Sequence, residues 1–297
     1  MKIKEGTKHR LIAIAVFIIV VALAMIWFLY KPTNYLEVDF LDVGQGDAEL
    51  IKTPHGQTIL VDGGPDKKVL QRLGESLPFW QNKIDLIILT HPHDDHFGGL
   101  TEVLKRYQVK NLLFTDVLCK DLGYQNFLKM TTEKKVNRII MTGPEKFVID
   151  DINFILLYPR TNLAGQTYKN ANNTSIVFRL NYKDINFLLT GDAEKPVEKE
   201  LVELESKNLS AQVLKLGHHG SDTSSTEEFL NAVKPKEGII SVGKDNKFGH
   251  PVPIILRRLE RLGINFKRTD EEGTIKALTN GQWLSLDKTC LIANCPL

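Results

Sequence analysis

The chain has 297 residues, of which 42% are hydrophobic and 25% are charged, and its formal net charge is +2 at pH 7. This composition excludes a disordered chain, and a charge so close to zero gives no reason to expect binding of nucleic acid or acidic lipid through bulk charge. We expect one large folded domain with short appendages, because α/β units reach this size as single domains.

The first predicted element is an uninterrupted apolar run over residues 11–30. A helix of about 20 residues rises roughly 30 Å, which matches the hydrocarbon core of a bilayer, so we predict a transmembrane helix. Four basic residues precede the run, whereas Lys31 alone follows it closely. This asymmetry predicts a cytoplasmic segment over residues 1–10 and an extracytoplasmic remainder. A cleaved signal peptide is the alternative, since Ala22 and Ala24 form an AxA cleavage motif, but the apolar run continues beyond them.

Residues 31–34 are predicted to be a linker, because Pro32 ends the helix. The domain predicted over residues 35–297 begins with three short strands that are rich in β-branched and apolar residues: YLEVDFLDVG, AELIKTP and QTILVDGG. His55 and Gly56 form the hairpin turn between the last two of these strands. A helix follows at DKKVLQRLGESL, and a continuous apolar strand, IDLIILT, then ends at His91.

The rest of the chain is predicted to alternate between strands and helices. The helices are GGLTEVLKRYQ, AEKPVEKELVELE, STEEFLNAV and PVPIILRRLERLG. The strands are KNLLFTDV, a hairpin at FVIDDINFILLYP, TSIVFRLNY, INFLLTGD, AQVLKLG, GIISVG and a β-rich tail. A meander followed by alternating strands and helices predicts two sheets flanked by helices, which is an α/β sandwich, and no repeat is visible.

The stretch LTHPHDDHFGG stands out because it places three histidines and two aspartates within six positions at the end of a buried strand. Imidazole and carboxylate groups are ligands for zinc, manganese and iron. His91 and His93 can point to one ion, and Asp95 and His96 to a second. A metal pair about 3.5–4 Å apart suits hydrolytic displacement. The alternative, a polar surface loop, leaves this spacing at a strand end unexplained.

HPHDDH resembles the HxHxDH signature of the metallo-β-lactamase superfamily. The resemblance implies a four-layer αββα sandwich preceded here by one transmembrane helix, with two divalent metal ions, zinc or manganese. It assigns metal-ligand positions to His91, His93, Asp95 and His96, and the carboxylate that bridges both ions to Asp192 of LLTGD.

The resemblance extends to residues around these ligands. It implies that Asp62 of ILVDGG braces the metal loop, although a turn aspartate is the plain alternative. Asp47 of DVGQGD is expected beside the site. The last ligand is His218 or His219 of LKLGHHGS. We favour His218 because it comes first after the strand, which leaves His219 to support a ligand or contact the substrate.

One departure from the family pattern concerns the first metal. The superfamily usually supplies another histidine between the HxHxDH loop and the bridging aspartate, but no histidine lies between His96 and His218. Neutral oxygens from Asn172, Asn173 or Ser175 are the available substitutes, and these are weak zinc ligands. We therefore expect unequal occupancy of the two metal positions.

Four blocks of the chain resemble the metallo-β-lactamase domain of the ComEC competence proteins, which form a DNA-uptake channel: FLDVGQGDAELIKTPHGQTILVDGG, NNTSIVFRLNYKDINFLLTGD, LKLGHHGSDTSS and SVGKDNKFGHP. The resemblance implies a metal-dependent nuclease or phosphodiesterase that acts on DNA outside the cytoplasmic membrane, alongside the uptake machinery. ComEC channels have many membrane spans, whereas one span is predicted here. We therefore expect the hydrolase domain on its own anchor rather than the channel.

Further roles follow from this reading. Asp95 is expected to orient the attacking water, and His250 of FGHP is a candidate phosphate contact or leaving-group acid, unless it is an ordinary loop histidine. Ser221, with Thr223 and Ser224, can donate hydrogen bonds to phosphate or can cap the next helix. Tyr168 and Phe248 are weak candidates for base stacking, and the basic stripe Arg257, Arg258, Arg261, Lys267 and Arg268 is as readily explained by a solvated face.

Two alternatives to a nuclease remain open. One is a hydrolase that uses the same site on a phosphocholine ester, a β-lactam or a thioester. The other is a DNA-binding partner of the uptake machinery without catalytic activity, which the missing histidine would explain. The three cysteines also leave two readings: in an exported domain Cys290 and Cys295 can close a small disulfide loop, or all three thiols are unpaired.

Overall fold

The computed structural model describes residues 5–30, 35–287 and 289–290. The helices are α1 Glu5–Tyr30, α2 Lys68–Ser76, α3 Asp94–Arg106, α4 Leu122–Glu133, α5 Lys195–Leu209, α6 Glu227–Val233, α7 Pro253–Arg261 and α8 Thr269–Glu272. The strands are β1 Leu36–Phe40, β2 Glu49–Lys52, β3 Thr58–Val61, β4 Lys83–Ile88, β5 Gln108–Phe114, β6 Asn137–Ile140, β7 Glu145–Ile149, β8 Ile152–Tyr158, β9 Val177–Tyr182, β10 Ile185–Leu189, β11 Val213–Lys215, β12 Glu237–Ile240, β13 Asn265–Arg268, β14 Ile275–Thr279, β15 Leu284–Leu286 and β16 Thr289–Cys290. Short 3₁₀ turns lie at Ala171–Thr174 and Gly217–Gly220.

The strands form two mixed sheets. One has the order β16-β15-β14-β1-β2-β3-β4-β5-β6, and the other has the order β13-β12-β11-β10-β9-β8-β7. Strands β3 to β6 are parallel to one another, and so are β10 to β13. The carboxyl ends of parallel strands meet at one edge of a sheet, so the loops that follow β3, β4, β10 and β11 can form a common site.

Three apolar layers hold the four layers of secondary structure together. The central one lies between the sheets and includes Phe40, Phe154, Phe178 and Phe187. A second packs α2, α3 and α4 against the first sheet, and a third packs α5, α6 and α7 against the second sheet. The predicted αββα sandwich is confirmed.

The structure differs from the sequence-based expectation at α3, α4 and β6. Helix α4 and strand β6 were not predicted, and α3 begins at Asp94 rather than at Gly98. The earlier start has a local cause: His93 takes an extended conformation at the N-cap, and two aspartates follow in the first turn, where negative charge favours a helix N-terminus. Asp95 and His96 therefore lie on a helix and not on a loop.

Helix α1 covers the predicted membrane span. Its residues Lys8–Met25 have a mean hydropathy of 2.1 and are not covered by the rest of the described chain, so the helix is long and apolar enough to cross a membrane. The predicted linker at 31–34, Cys295 and the side chain of Cys290 lie outside the described residues, and so do both readings of Cys290 and Cys295, a disulfide or unpaired thiols. Cys119 is a half-buried free thiol.

The second turn of α3 packs against the turn after β3 so closely that only glycine fits at position 99. A Cβ atom on Gly99 would lie 2.0 Å from the carbonyl oxygen of Gly63 and 2.6 Å from that of Asp66. These backbone atoms cannot give way without moving the turn. The glycine thus fixes how near the histidine-rich helix start comes to the end of β3.

We expect Gly99→Ala to destabilise the fold by about 1–3 kcal/mol or more, since it overpacks a backbone contact. Gly74→Ala is the matched control, because a Cβ at this position in α2 meets nothing within 4 Å. That change should stabilise by up to about 1 kcal/mol through helix propensity. Thermal unfolding of both variants measures the difference, and equal melting temperatures would contradict the close contact.

Candidate metal centre

The candidate site lies where strands of both sheets end. Asp62 follows β3, and His91 and His93 follow β4, while Asp95 and His96 occupy the first turn of α3. From the other sheet, Asp192 follows β10, and His218 and His219 follow β11. Residues that are far apart in the chain therefore meet at one edge of the sandwich.

Four of these residues form a compact group, which we call the Asp192 cluster: Asp95, His96, Asp192 and His219. One ligand atom from each lies within 4.8 Å of all the others. The Asp192 Oδ2 atom is 3.3 Å from His96 Nε2 and 3.5 Å from His219 Nε2, and His219 Nε2 is 3.3 Å from Asp95 Oδ2. Two imidazoles and two carboxylates at this spacing form a donor set suited to a divalent cation.

The buried atoms of this site fit a metal ion. His91 Nε2, His96 Nε2, His219 Nε2 and Asp192 Oδ1 are all buried without a hydrogen-bond partner. Burying such atoms unpaired is costly, so their convergence indicates a ligand.

The outer ring nitrogens of the same histidines are all occupied. His96 Nδ1 is 2.7 Å from Asp62 Oδ2, His219 Nδ1 is 2.8 Å from the carbonyl oxygen of Ser241, and His91 Nδ1 is 3.1 Å from Thr90 Oγ1. A neutral ring that donates from Nδ1 keeps its lone pair on Nε2. Each neutral imidazole therefore presents Nε2 to the site, as metal ligation requires.

Asp62 braces both sides of the histidine-rich segment. Its Oδ1 accepts the backbone N–H of Thr90 at 2.8 Å, and its Oδ2 accepts the Thr90 hydroxyl at 2.6 Å as well as the His96 ring. Because the Thr90 proton goes to Asp62, the Thr90 oxygen is free to accept from His91. One fully buried carboxylate thus orients two imidazoles.

Asp47 plays the corresponding part for His219. Its Oδ1 lies 3.3 Å from His219 Nδ1, and its Oδ2 accepts a hydrogen bond of 2.7 Å from the buried ammonium group of Lys215. Its backbone N–H also donates to the carbonyl oxygen of Asp95 at 3.2 Å. Asp47 therefore joins the α3 start to the end of β11.

Mutual attraction between buried charges sets the protonation of the site. Burial alone would lower the pKa of His219, but the carboxylates of Asp192 and Asp47 outweigh it and raise this pKa to about 10. The pKa of His96 is likewise raised well above its ordinary value, because the charges of Asp192, Asp62 and Asp95 outweigh the effect of burial. Burial lowers the pKa of His91, so this ring is neutral. A cation and protons compete for the same nitrogens.

The structure brings His219 into the Asp192 cluster, whereas His218, the histidine favoured from the sequence, lies beside it. His219 is buried against Asp95 and Asp192, whereas the side chain of His218 is 24% exposed and its Nε2 is 4.0 Å from Asp192 Oδ2. Both residues take left-handed backbone conformations, with φ of +48° and +54°. Such strain in two consecutive non-glycine residues is typical of functional turns. In this turn, the left-handed conformation directs the side chain of His219, and not that of His218, into the Asp192 cluster.

His91 and His93 lie on the less complete side of the site. Their ring centroids are 4.6 Å apart, and His91 Nε2 is 4.0 Å from Asp192 Oδ2. Two of the three proposed oxygen donors are engaged in backbone hydrogen bonds, whereas the Asn172 Oδ1 atom is buried without a partner. Ser175 Oγ accepts the Asp192 backbone N–H, Asn173 Oδ1 accepts the Glu194 N–H, and the Asn172 amide lies 3.4 Å from His218 Nε2.

The mouth of the site contains the remaining candidates. The ring of His250 lies 5.6 Å from that of His218, and burial together with His218 and His219 lowers its pKa. A neutral imidazole is a poor proton donor, which weighs against the role of leaving-group acid. Ser221 accepts a hydrogen bond from Thr223, whose hydroxyl is 2.7 Å from His218 Nδ1.

The structure excludes the helix-capping role for Ser221, Thr223 and Ser224, and it agrees with a solvated face for the basic stripe. Thr226 caps α6, and Ser224 donates to the carbonyl of Gly217, so Ser221, Thr223 and Ser224 do not cap that helix. In the stripe, acidic partners neutralise Arg261, Lys267 and Arg268.

Two residues of the site were missed in the sequence. Lys215 is fully buried behind Asp47, and its only signal was a charge inside an apolar strand. Glu194 lies two residues after Asp192, and its Oε1 is 3.4 Å from His218 Nδ1.

Comparison with known proteins agrees with the geometry. The model of the metallo-beta-lactamase superfamily matches residues 41–244. The chain belongs to the metallo-β-lactamase superfamily. Among curated relatives, ComE operon protein 3 of Bacillus subtilis is 34% identical over 81% of this chain and 32% of its own length. Competence protein ComA of Neisseria gonorrhoeae is 30% identical over 82% of this chain and 32% of its own length.

The chain thus spans about a third of these relatives. Among solved structures, the metallo-beta-lactamase fold protein YhfI of Bacillus subtilis superposes with a TM-score of 0.56 at 13% identity, covering 82% of this chain and 99% of that one. At this identity the superposition supports the fold alone. The predicted superfamily and the similarity to competence proteins are both confirmed.

We expect His219→Ala to weaken the binding of Mn²⁺ or Zn²⁺ by about 100-fold, because changes in outer partners alone cost 10–100-fold. His218→Ala is the matched control and should cost less than about 10-fold at the tighter site. Calorimetric titration with each metal measures both values. A larger loss in His218→Ala than in His219→Ala would contradict the assignment.

Proposed function

We propose that this protein is a membrane-anchored, metal-dependent phosphodiesterase, and specifically a nuclease that acts on DNA outside the cytoplasmic membrane. The observation that carries the proposal is the set of unpaired buried Nε2 atoms around Asp192. A site so rich in inward-facing imidazole and carboxylate suits metal-assisted hydrolysis. The names of the relatives refer to competence, and the resemblance to ComEC proteins implies DNA as the substrate.

The Asp192 cluster would hold the tighter metal ion, and His91, His93 and Asp192 the weaker one. His218 is well placed to complete the weaker position in place of the missing histidine, since its Nε2 is as far from Asp192 Oδ2 as that of His91. A divalent cation at this site would neutralise charge on a phosphodiester and make a water molecule acidic enough to act as the nucleophile.

The protein's own side chains would orient the attacking water. Asp95 is partly exposed at the mouth, where its carboxylate can accept a hydrogen bond from the attacking water. Burial alone would raise the pKa of Asp95, but the charge of His96 and a hydrogen bond from His219 outweigh it and hold this pKa far below its usual value, so the carboxylate stays ionised. Asp47 holds both the backbone of Asp95 and the ring of His219, so the Asp95 carboxylate is pre-organised to accept the hydrogen bond.

The loop after β12 provides features suited to a nucleotide. A cavity of about 640 Å³ is lined by Lys244, His250 and Arg268 together with Asp245, Asn246, Gly249, Asp270 and Glu271. This volume lies within the range of small-molecule sites. Phe248 is 55% exposed and its ring lies nearly parallel to His250, at 5.8 Å and 23°. An exposed aromatic face beside lysines is suited to a base and its phosphate.

The proposed location is supported by α1. Its apolar side chains are exposed over residues 11–25 in the described chain, as expected for a helix surrounded by lipid. The excess of basic residues before it favours a cytoplasmic N-terminus and an extracytoplasmic domain. DNA arriving from outside the cell would then meet the site before the membrane.

The test is a substrate panel on the full chain in detergent with Mn²⁺ or Zn²⁺. We expect cleavage of DNA and of bis-p-nitrophenyl phosphate, and no turnover of a phosphocholine ester, a β-lactam or a thioester. Asp192→Asn should reduce the rate by at least about 100-fold, because it removes the central carboxylate. Asp184→Asn, an exposed aspartate in the turn between β9 and β10, is the matched control and should not change it.

Each outcome of this panel has a clear meaning. Hydrolysis of another substrate with DNA left intact would overturn the nuclease assignment and keep the metal site. Tight DNA binding that survives Asp192→Asn and His93→Ala, without turnover, would instead indicate a binding partner that lacks catalytic activity.

A further inference from the structure

An exposed aromatic pair lies far from the metal centre, in the turn between α2 and β4. Phe79 is 90% exposed and Trp80 is 41% exposed, and their rings meet edge to face with centroids 4.8 Å apart. Aromatic side chains of this size normally bury most of their surface. The fold gains little from exposing both, so the pair points to a contact outside the domain.

The turn that carries the pair is well built. Leu77 is buried in the apolar layer under α2, and its backbone N–H donates to Leu73 at 2.8 Å. The Gln81 N–H donates to the carbonyl of Pro78 at 2.8 Å, and its side-chain amide donates to the carbonyl of Lys83 at 2.9 Å. Phe79 and Trp80 are thus presented by a structured turn.

This turn lies at the same end of the sheet as the start of the domain. Strands β1, β2, β3 and β4 are neighbours, and β1 runs in the direction of β3 and β4 because both β1–β2 and β2–β3 are antiparallel. The starts of β1 and β4 therefore share one end, and the metal centre occupies the other. At about 4.8 Å per strand, the turn lies roughly 15 Å to the side of Tyr35.

The length of the linker brings this end to the membrane. Four residues, 31–34, separate α1 from Tyr35, and they reach at most about 14 Å. When α1 crosses a bilayer, the start of β1 must lie near the bilayer surface. The aromatic turn, which shares this end, is then within reach of the lipid headgroups.

We propose that Phe79 and Trp80 insert into the interfacial layer of the membrane and hold the domain with its metal centre facing away from the lipid. The inference rests on the membrane anchor in the proposed function. Tryptophan prefers the boundary between headgroups and acyl chains, because its ring is apolar and its N–H is polar. With six residues in β4, the site would stand roughly 20 Å above the surface.

Charge does not explain this surface. Exposed Lys83 and Lys183 share the end with the acidic residues Asp150 and Asp184, so attraction to anionic lipid is not the main term. The aromatic pair carries the contact, and it should form on neutral phosphatidylcholine.

The experiment uses the full chain in nanodiscs of phosphatidylcholine with brominated acyl chains, since bromine quenches nearby tryptophan. The chain has three tryptophans, Trp27, Trp80 and Trp283. In W27F/W283F, which retains Trp80 alone, we expect fluorescence to fall by about a factor of two relative to unbrominated lipid. In W80F/W283F, Trp27 reports whether α1 has inserted.

A matched control reports on the opposite end of the domain. Adding F248W to W27F/W80F/W283F places the only tryptophan at an exposed site beside the metal centre, and it should not be quenched. Quenching at position 248 as strong as that of Trp80 would overturn the proposed orientation. An unquenched Trp80 with a quenched Trp27 would overturn the aromatic contact and leave the anchor intact, whereas two unquenched positions would overturn both.

One substitution needs a second design. Trp283 is buried and packs on Tyr35 at 5.6 Å, so W283F can disturb the fold. Comparing W27F with W27F/W80F keeps Trp283 in place and yields the signal of Trp80 by difference. Loss of the quenchable signal on removing Trp80 supports the contact, and an unchanged quenchable signal contradicts it.

Discussion

The carboxylate of Asp192, buried among imidazoles at the junction of the two sheets, is the constraint on which the rest of the site depends. Taking a carboxylate out of water is costly unless positive charge and hydrogen bonds replace the solvent. His96 and His219 supply that charge, and both approach Asp192 within 3.5 Å. A divalent cation would satisfy the same need, so the protein's electrostatics and its metal affinity have one origin.

Two buried carboxylates transmit this constraint to the fold. Asp62 holds His96 and Thr90, and Asp47 holds His219 through one oxygen and Lys215 through the other. Asp47 comes from the first sheet, whereas Lys215 and His219 come from the second. The ion pair therefore joins the sheets behind the site, and movement of either sheet would misplace a ligand. This coupling explains why so much charge is buried at one edge of an otherwise apolar sandwich.

The sequence predicts the sandwich well because it depends on local patterns, and the same patterns show at which strand ends the candidate ligands lie. Apolar strands that end in chemically distinctive residues place His91, Asp192 and the paired histidines at strand ends. What it misses depends on tertiary contacts. Strand β6 is exposed along its length and has no buried pattern to reveal it.

The choice between His218 and His219 likewise depends on tertiary structure, because two left-handed residues reverse the order in which the side chains enter the site. In the sequence, Lys215 is a charged residue in an otherwise apolar strand, and its role becomes clear only when the fold places Asp47 beside it. Helical spacing of apolar residues alone also places the start of α3 too late. The two aspartates that favour its N-terminus can be recognised as first-turn residues only when the end of β4 is known.

The most direct test of the account is anomalous diffraction at the manganese edge from crystals of the Mn²⁺-loaded protein. The account predicts a strong peak bounded by Asp95, His96, Asp192 and His219, and a weaker peak on the side of His91 and His93. A strongest peak away from His219, or no peak near Asp192, would contradict it.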